Sequence, residues 1–324
     1  MTTLVTGATG LVGNNVVRLL RCEGETVRAL VRDTSDPRPL AGLEVEAVIG
    51  DIRDIESVRR AMAGVSQVVH SAARVHIGWT GLESQRAINV EGTRNVATAA
   101  RDANAKMVHV SSVDTLGVGS PDLPADEDSP REGKVPCSYV TTKREAEQAF
   151  LDEVSRGLEG IVVNPGFMLG PWDWKPSSGR MLLEVARRFT PFAPKGGCSV
   201  CDVRDVAAGI LAALQRGTIG RRYILGGENL TYFDLWKRII NLTGGTAPIC
   251  RAGPLMRIIA GRGGDLIGKI TGREPDVNSA SVGMSDLYHY YSIARAQREL
   301  GYVVRPLEES IADAWSWFQA EGYA

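Results

Sequence analysis

A tyrosine and a lysine four residues apart, in the segment SYVTTKREAEQ, have the types and spacing for acid–base chemistry. Tyr139 and Lys143 stand at positions i and i+4 of a helical pattern, so they share one helix face. A phenol has an ordinary pKa of about 10, and a nearby ammonium favours the phenolate. Lowering that pKa by about three units corresponds to roughly 4 kcal/mol. The pair predicts a proton-transferring tyrosine; a packed tyrosine beside an exposed lysine is the alternative.

Hydroxyl side chains at the end of an upstream strand favour the catalytic interpretation. The segment VHVSSVDTLG predicts a buried strand that ends at Ser111 and Ser112. Ligands of parallel α/β sheets bind at the carboxyl ends of the strands. A serine there would hold a carbonyl or alcohol oxygen while Tyr139 moves the proton and a nicotinamide moves the hydride.

Such chemistry requires a dinucleotide site, and LVTGATGLVG at residues 4–13 predicts one. A short strand reaches Gly7, Gly10 and Gly13 immediately before a helical pattern begins. Glycines permit a tight turn, close approach of the pyrophosphate and close helix–strand packing, and the helix N-terminus attracts phosphate. The spacing is GxxGxxG, and its place at the first strand–helix junction favours a dinucleotide site over a purely structural turn.

The end of the second predicted strand indicates which dinucleotide binds. An acid at this place would bind the ribose of NAD, but the sequence has Arg32, with Arg28 on the same strand face. A guanidinium suits the 2′-phosphate of NADP(H) through forked, charge-assisted hydrogen bonds. We therefore expect NADP(H), with NAD(H) as the alternative because Asp33 is adjacent. Asp51 and Ile52, after the third strand, are expected beside the adenine, although Asp51 also fits a loop cap.

Short β-branched segments alternate with helical segments through the first half of the chain. This alternation predicts an α/β fold with a doubly wound parallel sheet of the Rossmann type. We assign residues 1–166 to the dinucleotide-binding domain, to which the chain returns at about residues 202–227. Residues 167–324 are expected to form a smaller, mostly helical substrate lobe. Residues 117–136, rich in proline, glycine and acid, predict a surface loop.

Composition restricts the class of protein. The 324 residues carry a net charge of −1 without a basic cluster, so a nucleic-acid partner is not expected. No apolar stretch reaches the length of a membrane span. Five scattered cysteines are typical of a reducing cytoplasm, and Cys198 and Cys201 are expected to be packed thiols rather than metal ligands. These features indicate a cytoplasmic, metal-free protein with a small-molecule substrate.

The three motifs, in this order, resemble the extended short-chain dehydrogenase/reductase family, also called the NAD-dependent epimerase/dehydratase family. The resemblance covers nearly the whole chain and adds HSAA, INVEGT and NPGFMLGP. Within the family, VRALVRDTSD, HVSSVDTLG, RRYILGGENLT and ITGREP are similar to dihydroflavonol-4-reductase-like proteins, and most similar to the bacterial branch labelled hopanoid-associated sugar epimerase. The resemblance implies an NAD(P)-dependent enzyme whose substrate lies between two lobes, and a homodimer.

The resemblance also implies roles for individual residues. It makes Ser112, rather than Ser111, the catalytic serine beside Tyr139 and Lys143, and it places Lys143 on the nicotinamide ribose. The predicted cofactor contacts are Gly7, Thr9, Gly10, Leu11, Val12, Gly13, Arg32, Asp51, Ile52, Ser71, Ala72, Ala73, Asn89, Lys143, Pro165, Gly166, Phe167 and Met168.

Three activities fit these residues: a reductase of ketones or secondary alcohols, a nucleotide-sugar epimerase or dehydratase using bound NAD, and a non-enzymatic redox sensor. Sugar-nucleotide members hold the diphosphate with arginines, one of which is replaced here by Cys198 in GGCSVCDVRDVA. The segment VGMSDLYHYYS lacks the other. Asn164 is compatible with a sugar nucleotide, and other arginines could take over. The missing arginines and Arg32 favour the reductase; the arginines that could substitute are Arg221, Arg222 and Arg262.

The substrate side of the cleft is expected to be apolar and aromatic, which suits an apolar or aromatic carbonyl compound. Packing of the lobe junction is the alternative role for each of these side chains. The predicted substrate contacts are His76, Trp79, Asp114, Trp172 and Met181, with Ile77, Met168 and Trp174 nearby.

Overall fold

Alternating β-branched and amphipathic segments form thirteen strands and twelve α-helices in the computed structural model, which describes residues 1–324. The strands are β1 (Thr2–Thr6), β2 (Thr26–Val31), β3 (Glu46–Ile49), β4 (Gln67–His70), β5 (Lys106–Val110), β6 (Gly160–Pro165), β7 (Phe167–Leu169), β8 (Phe192–Ala193), β9 (Gly197–Asp202), β10 (Arg222–Leu225), β11 (Glu228–Thr231), β12 (Cys250–Arg251) and β13 (Tyr288–His289). The helices are α1 (Leu11–Cys22), α2 (Ile55–Met62), α3 (Leu82–Arg86), α4 (Gly92–Asp102), α5 (Ser138–Ser155), α6 (Gly179–Arg187), α7 (Val203–Arg216), α8 (Tyr232–Thr243), α9 (Pro254–Thr271), α10 (Ser279–Ser285), α11 (Ala294–Leu300) and α12 (Leu307–Ala320).

Seven strands form one parallel sheet in the order β3-β2-β1-β4-β5-β6-β10. The order reverses between β1 and β4, which creates the crevice at the carboxyl edge where ligands of this architecture bind. This arrangement confirms the predicted α/β fold with a Rossmann-type sheet.

Helices cover both faces of the sheet because their apolar stripes pack against strands that are buried on both sides. On one face α1 and α7 contribute Val16, Val17, Ile210 and Leu214 to a 24-residue cluster. On the other face α2, α4 and α5 contribute to a separate 17-residue cluster that is built around Val68, Met107 and Phe150.

A second, smaller sheet begins directly after β6. Its strands β7, β11 and β13 all pair with β9, so the carboxyl end of β6 and the segment 197–202 lie side by side. Helices α6, α8 and α12 pack against this sheet around Leu182, Ile239 and Phe318. The chain rejoins the large sheet at β10, and the domain division at residue 166 stays our proposal.

None of the twelve helices combines the length and the apolar composition needed to cross a bilayer.

Candidate active site

The glycine turn brings β1, the start of α1 and the end of β4 into close contact. Gly7 has φ of +73°, and a Cβ on it would lie 2.7 Å from the Ala72 nitrogen. A Cβ on Gly13 would lie 2.2 Å from the Gly7 carbonyl oxygen. Gly10 is the N-cap of α1 and offers no side-chain acceptor, and the first helical turn has no acid. The free N–H groups at the N-terminus of α1 and the helix dipole therefore suit an anionic pyrophosphate.

A cavity of about 610 Å³ extends from this turn along the carboxyl ends of β1 to β4. Leu11 and Val12 do not line it, since their side chains are buried or partly buried, and only their backbone N–H groups remain for phosphate. The lining residues are Gly7, Thr9, Gly10, Leu30, Val31, Arg32, Ser35, Gly50, Asp51, Ile52, Arg53, Ser71, Ala72, Ala73, Arg74, Ile88 and Lys175.

Arg32 lies at this cavity, is exposed and makes no ion pair, whereas Asp33 is not among the lining residues. Arg28 has a different place: its guanidinium binds Glu46 and the carbonyl oxygens of Ala61 and Ala63. Arg28 therefore does not line the cavity beside Arg32.

Three further cations line the cavity and were missed in the sequence: Arg53, Arg74 and Lys175. Asp51 is bound by Arg53, whose Nε and Nη2 donate to its two carboxylate oxygens over 3.0 and 2.7 Å. The backbone nitrogen of Arg53 donates to Asp51 as well, which is the loop-cap arrangement. This hydrogen bonding with Arg53 lowers the pKa of Asp51 against the opposing effect of burial. The cavity therefore contains an excess of positive charge.

Asn89 supports the loop after β4. Its side-chain oxygen accepts from the Arg74 nitrogen (2.7 Å), and its amide donates to the Arg74 carbonyl oxygen (3.1 Å). The same amide donates to Thr142 on α5 (3.1 Å). Asn89 is buried in a π-helical turn. From there it connects the loop that contains Ser71, Ala72 and Ala73 to the helix that carries Tyr139, so it positions both.

Ser112, Tyr139 and Lys143 meet at the junction of β5 and α5. The Tyr139 phenol lies near the Ser112 side chain, whose hydroxyl oxygen accepts from the Asp114 nitrogen at 3.1 Å. The Lys143 ammonium donates to the carbonyl oxygen of Val110, the last residue of β5, at 3.0 Å. All three side chains are buried. The i, i+4 spacing therefore places the Tyr139 phenol and the Lys143 ammonium together at the carboxyl end of β5.

The electrostatics of this junction differ from the sequence prediction. Burial raises the pKa of Tyr139, the charge of Asp114 adds to that effect, and the nearby Ser112 side chain opposes it. Burial lowers the pKa of Lys143 to about 8, against the attraction of Glu147 and Asp114. The expected lowering of the tyrosine pKa by Lys143 is thus wrong for this structure, because the ammonium points to Val110. The raised pKa keeps the phenol protonated, which is the form that could donate a proton.

Asp114 belongs to a buried polar group that the sequence did not reveal. The Lys134 ammonium donates to Asp114 Oδ1 at 3.1 Å and to His289 Nδ1, while His289 Nε2 donates to the Met284 carbonyl oxygen. Burial lowers the pKa of His289 to about 4, so its imidazole is neutral and Nδ1 can accept. Lys134 comes from the predicted surface loop, yet its side chain is fully buried.

Glu147 organises the back of the site from α5. It accepts from Ser111 (2.6 Å) and Asn164 (3.1 Å), and it pairs with Arg131 and Arg222. Although burial acts to raise it, the pKa of Glu147 falls to about 2 because of the two guanidinium groups and Ser111. This carboxylate joins β5, β6 and β10 beneath Ser112.

A second cavity, of about 720 Å³, opens beside Ser112 between the two lobes. Fourteen of its 25 lining residues are hydrophobic, so it suits a ligand with a mainly apolar body. Among the predicted residues, the cavity is lined by Ser112, Asp114, Gly166, Phe167, Met181 and Ile77. Pro165 ends β6 beside Leu225, and Met168 packs against the large core.

Besides Met168, four predicted substrate-side residues lie outside this cavity. His76 and Trp79 bind Glu274 of the second lobe, through His76 Nε2 (2.9 Å) and the Trp79 nitrogen (2.8 Å). Trp172 lies under the Arg18 guanidinium at 4.4 Å, and Trp174 packs edge-on against Trp317. These aromatic side chains join parts of the protein, which was the alternative role considered for them.

None of the three arginines considered for a diphosphate lines this cavity. Arg221 pairs with Glu299, Arg222 pairs with Glu147, and Arg262 is exposed on α9. Arg257 does line the cavity, but it pairs with Asp286, which lines the cavity too. Cys198 and Cys201 are buried free thiols of β9, and burial raises the pKa of both.

The fold and the site define an NAD(P)-binding protein of the oxidoreductase type. The defining features are the glycine turn of the parallel sheet, the cationic cavity at that turn, and the Ser–Tyr–Lys group beside an apolar cavity. Residues 3–226 match the model of the NAD dependent epimerase/dehydratase family. The chain belongs to this family, as the sequence predicts.

Relatives extend over almost the whole chain. It is 37% identical over 327 residues to a protein of Synechocystis sp. named for dihydroflavonol 4-reductase, covering 98% of this chain and 95% of the relative. It is 36% identical to sterol demethylase protein B of Methylococcus capsulatus, covering 99% of each. The solved structure of gox2253 matches with a TM-score of 0.86 at 36% identity, covering 99% of each chain. These similarities support NAD(P)-dependent oxidoreductase chemistry.

Proposed function

We propose that this protein is an NADP(H)-dependent reductase that converts a ketone on a large, mainly apolar substrate to the secondary alcohol. The observation that carries the proposal is the apolar cavity of about 720 Å³ that ends at Ser112, beside a protonated tyrosine. Its volume lies within the range of roughly 300–1,000 Å³ that small-molecule sites occupy.

Arg32 supports NADP(H) over NAD(H). It lies at the glycine-turn cavity without an ion pair, and Arg53, Arg74 and Lys175 add positive charge there. An additional phosphate on the adenosine ribose would form charge-assisted hydrogen bonds with such a guanidinium. At the end of β2, where an acid would bind the ribose hydroxyls of NAD, the chain has Arg32, and the adjacent Asp33 does not line the cavity.

The proton-transfer residues favour reduction. When bound, the nicotinamide supplies the hydride that adds to the carbonyl carbon. Ser112, which lines the cavity, would hold the carbonyl oxygen, and the protonated Tyr139 would donate its phenolic proton to that oxygen as the C=O bond becomes C–O. Lys143, held at the junction by its hydrogen bond to the Val110 carbonyl oxygen, would bind the nicotinamide ribose.

The charges of the cavity favour an apolar ketone over a sugar nucleotide. Its one guanidinium, Arg257, is already neutralised by Asp286, so a diphosphate would find no free cation. The sterol in the name of the Methylococcus capsulatus relative supports a rigid, alicyclic substrate. The family name makes the epimerase or dehydratase the second candidate.

Turnover of a substrate panel tests the proposal. Purified protein is incubated with NADPH and either ketosteroids and other cyclic ketones or UDP-sugars, and both cofactor oxidation and products are measured. We expect alcohol formed in equal amount to NADP⁺, at a rate roughly 10²- to 10⁴-fold lower with the Tyr139→Phe variant. Conversion of a UDP-sugar without net cofactor oxidation would establish the epimerase instead.

A further inference from the structure

Helix α9 turns its large aliphatic side chains away from the protein. Leu255, Ile259, Leu266 and Ile270 follow one another at i, i+4, i+11 and i+15, so they form one stripe along the helix. Together with Ile258 and Ile267 they constitute what we call the aliphatic face of α9. These six side chains are between 52% and 76% exposed.

The opposite side of α9 consists of glycines that fit closely against the segment 275–279. A Cβ on Gly261 would lie 3.1 Å from Ser279 Cα, and one on Gly264 only 1.9 Å from the Val277 carbonyl oxygen. Glycine costs a helix roughly 0.5–1 kcal/mol per residue relative to alanine. The sequence thus places glycine where the helix meets the protein and leucine or isoleucine where it does not, which reverses the usual pattern of a surface helix.

Basic side chains accompany the aliphatic face. Residues 249–273 contain five basic residues and one acid, in a chain whose net charge is −1. Arg251, Arg262, Lys269 and Arg273 are exposed and make no ion pair. The single acid, Asp265, accepts a hydrogen bond from the Ser279 nitrogen. Long basic side chains beside an apolar stripe let the stripe enter lipid while the charges reach headgroups.

The aliphatic face is continuous with the mouth of the apolar cavity. Met256, Arg257 and Ala260 on α9 line the cavity, and the exposed residues Phe192 and Val277 line it as well. A surface that covers α9 would therefore lie beside the entrance to the apolar cavity.

We propose that α9 docks this protein on an anionic lipid surface, with the aliphatic face among the acyl chains and Arg262, Lys269 and Arg273 at the headgroups. A second copy of the chain fits less well, because a two-fold interface would join two copies of the same cation-rich surface, whose single acid already accepts a hydrogen bond from Ser279. Anionic headgroups neutralise the same cations. The proposal does not depend on which ketone is reduced.

Vesicle co-sedimentation tests the docking. The full chain is mixed with vesicles of phosphatidylcholine alone or of phosphatidylcholine with phosphatidylglycerol, at low and high salt. We expect binding to the anionic vesicles that weakens with salt. Ile259→Ser/Leu266→Ser/Ile270→Ser should weaken binding on the order of a hundredfold or more. Arg262→Gln/Lys269→Gln/Arg273→Gln should weaken it roughly a hundredfold.

The matched control removes three exposed aliphatic side chains elsewhere: Leu123→Ser/Ile219→Ser/Val303→Ser. This variant should bind vesicles like the wild type, and all variants should bind NADPH, which verifies their folding. Equal binding by the α9 and control variants, or no binding by the wild type, overturns the proposal. So does sedimentation of the wild type as a dimer that the α9 serine variant converts to a monomer. None of these results bears on the proposed reductase activity, which the substrate panel tests separately.

Discussion

Replacing Lys143 with methionine should change how the stability of the protein depends on pH. Lys143 is buried, and its pKa is lowered from 10.5 to about 8, chiefly by burial. Between these two values the unfolded chain binds a proton that the folded protein does not. The free energy of unfolding of the wild type therefore rises with pH in this window, at about 1.4 kcal/mol per pH unit.

The Lys143→Met variant lacks this contribution. It also leaves the Val110 carbonyl oxygen without its donor, at a cost of about 1–3 kcal/mol that does not change with pH. The difference in unfolding free energy between wild type and variant should move by about 2.5 kcal/mol in favour of the wild type from about pH 8 to about pH 10. Lys134, whose pKa burial also lowers, is present in both proteins and cancels in the difference.

Urea denaturation at a series of pH values, monitored by tryptophan fluorescence, provides the measurement. Lys195→Met, at an exposed lysine, is the control, and its profile should run parallel to that of the wild type. Parallel profiles for the wild type and Lys143→Met would refute the conclusion that burial lowers the pKa of the Lys143 ammonium.

Three further substitutions separate proton transfer, cofactor choice and support of the site. Tyr139→Phe should lower turnover roughly 10²- to 10⁴-fold while NADPH affinity is kept; an unchanged rate removes Tyr139 from the mechanism. Arg32→Ala should weaken NADPH binding roughly tenfold or more in fluorescence titration and leave NADH binding unchanged. The control Arg38→Ala removes an exposed arginine that is paired with Asp36, and it should change the affinity for neither cofactor. Equal loss of affinity for NADPH and NADH would contradict the contact between Arg32 and the 2′-phosphate. Glu147→Gln should destabilise the fold by about 3–5 kcal/mol in urea denaturation at neutral pH; because the pKa of Glu147 is lowered to about 2, this contribution is present above pH 4.5 and is lost as pH falls toward 2, so a pH-independent difference would refute it.

Local patterns were sufficient to predict the fold and the glycine turn between β1 and α1. The glycines at 7, 10 and 13 act within one turn, and the Tyr139–Lys143 spacing is a property of a single helix. Alternation of strands and helices over the first half was enough to predict the parallel sheet. The homodimer, the cytoplasmic location and the hopanoid-associated branch stay predictions.

Contacts between distant segments were not predictable from such patterns. Lys134 lies 155 residues from His289, and nothing near either one signals that they meet beside Asp114. Glu147 likewise cannot be distinguished from other helical charges in the sequence, because its partner Arg222 lies on the distant strand β10. The aromatic residues mislead for the same reason, since Trp172 is as suited to stacking on Arg18 as to a substrate wall.

Isotope transfer tests the central claim most directly. NADPH that carries deuterium at the reacting position of its nicotinamide is offered with a cyclic ketone that the enzyme reduces, and the alcohol is examined by mass spectrometry and NMR. We predict one deuterium on the carbinol carbon, equimolar NADP⁺, and a rate of transfer roughly 10²- to 10⁴-fold lower with Tyr139→Phe. Alcohol without deuterium, or deuterium transfer that persists undiminished without the Tyr139 phenol, would contradict the account.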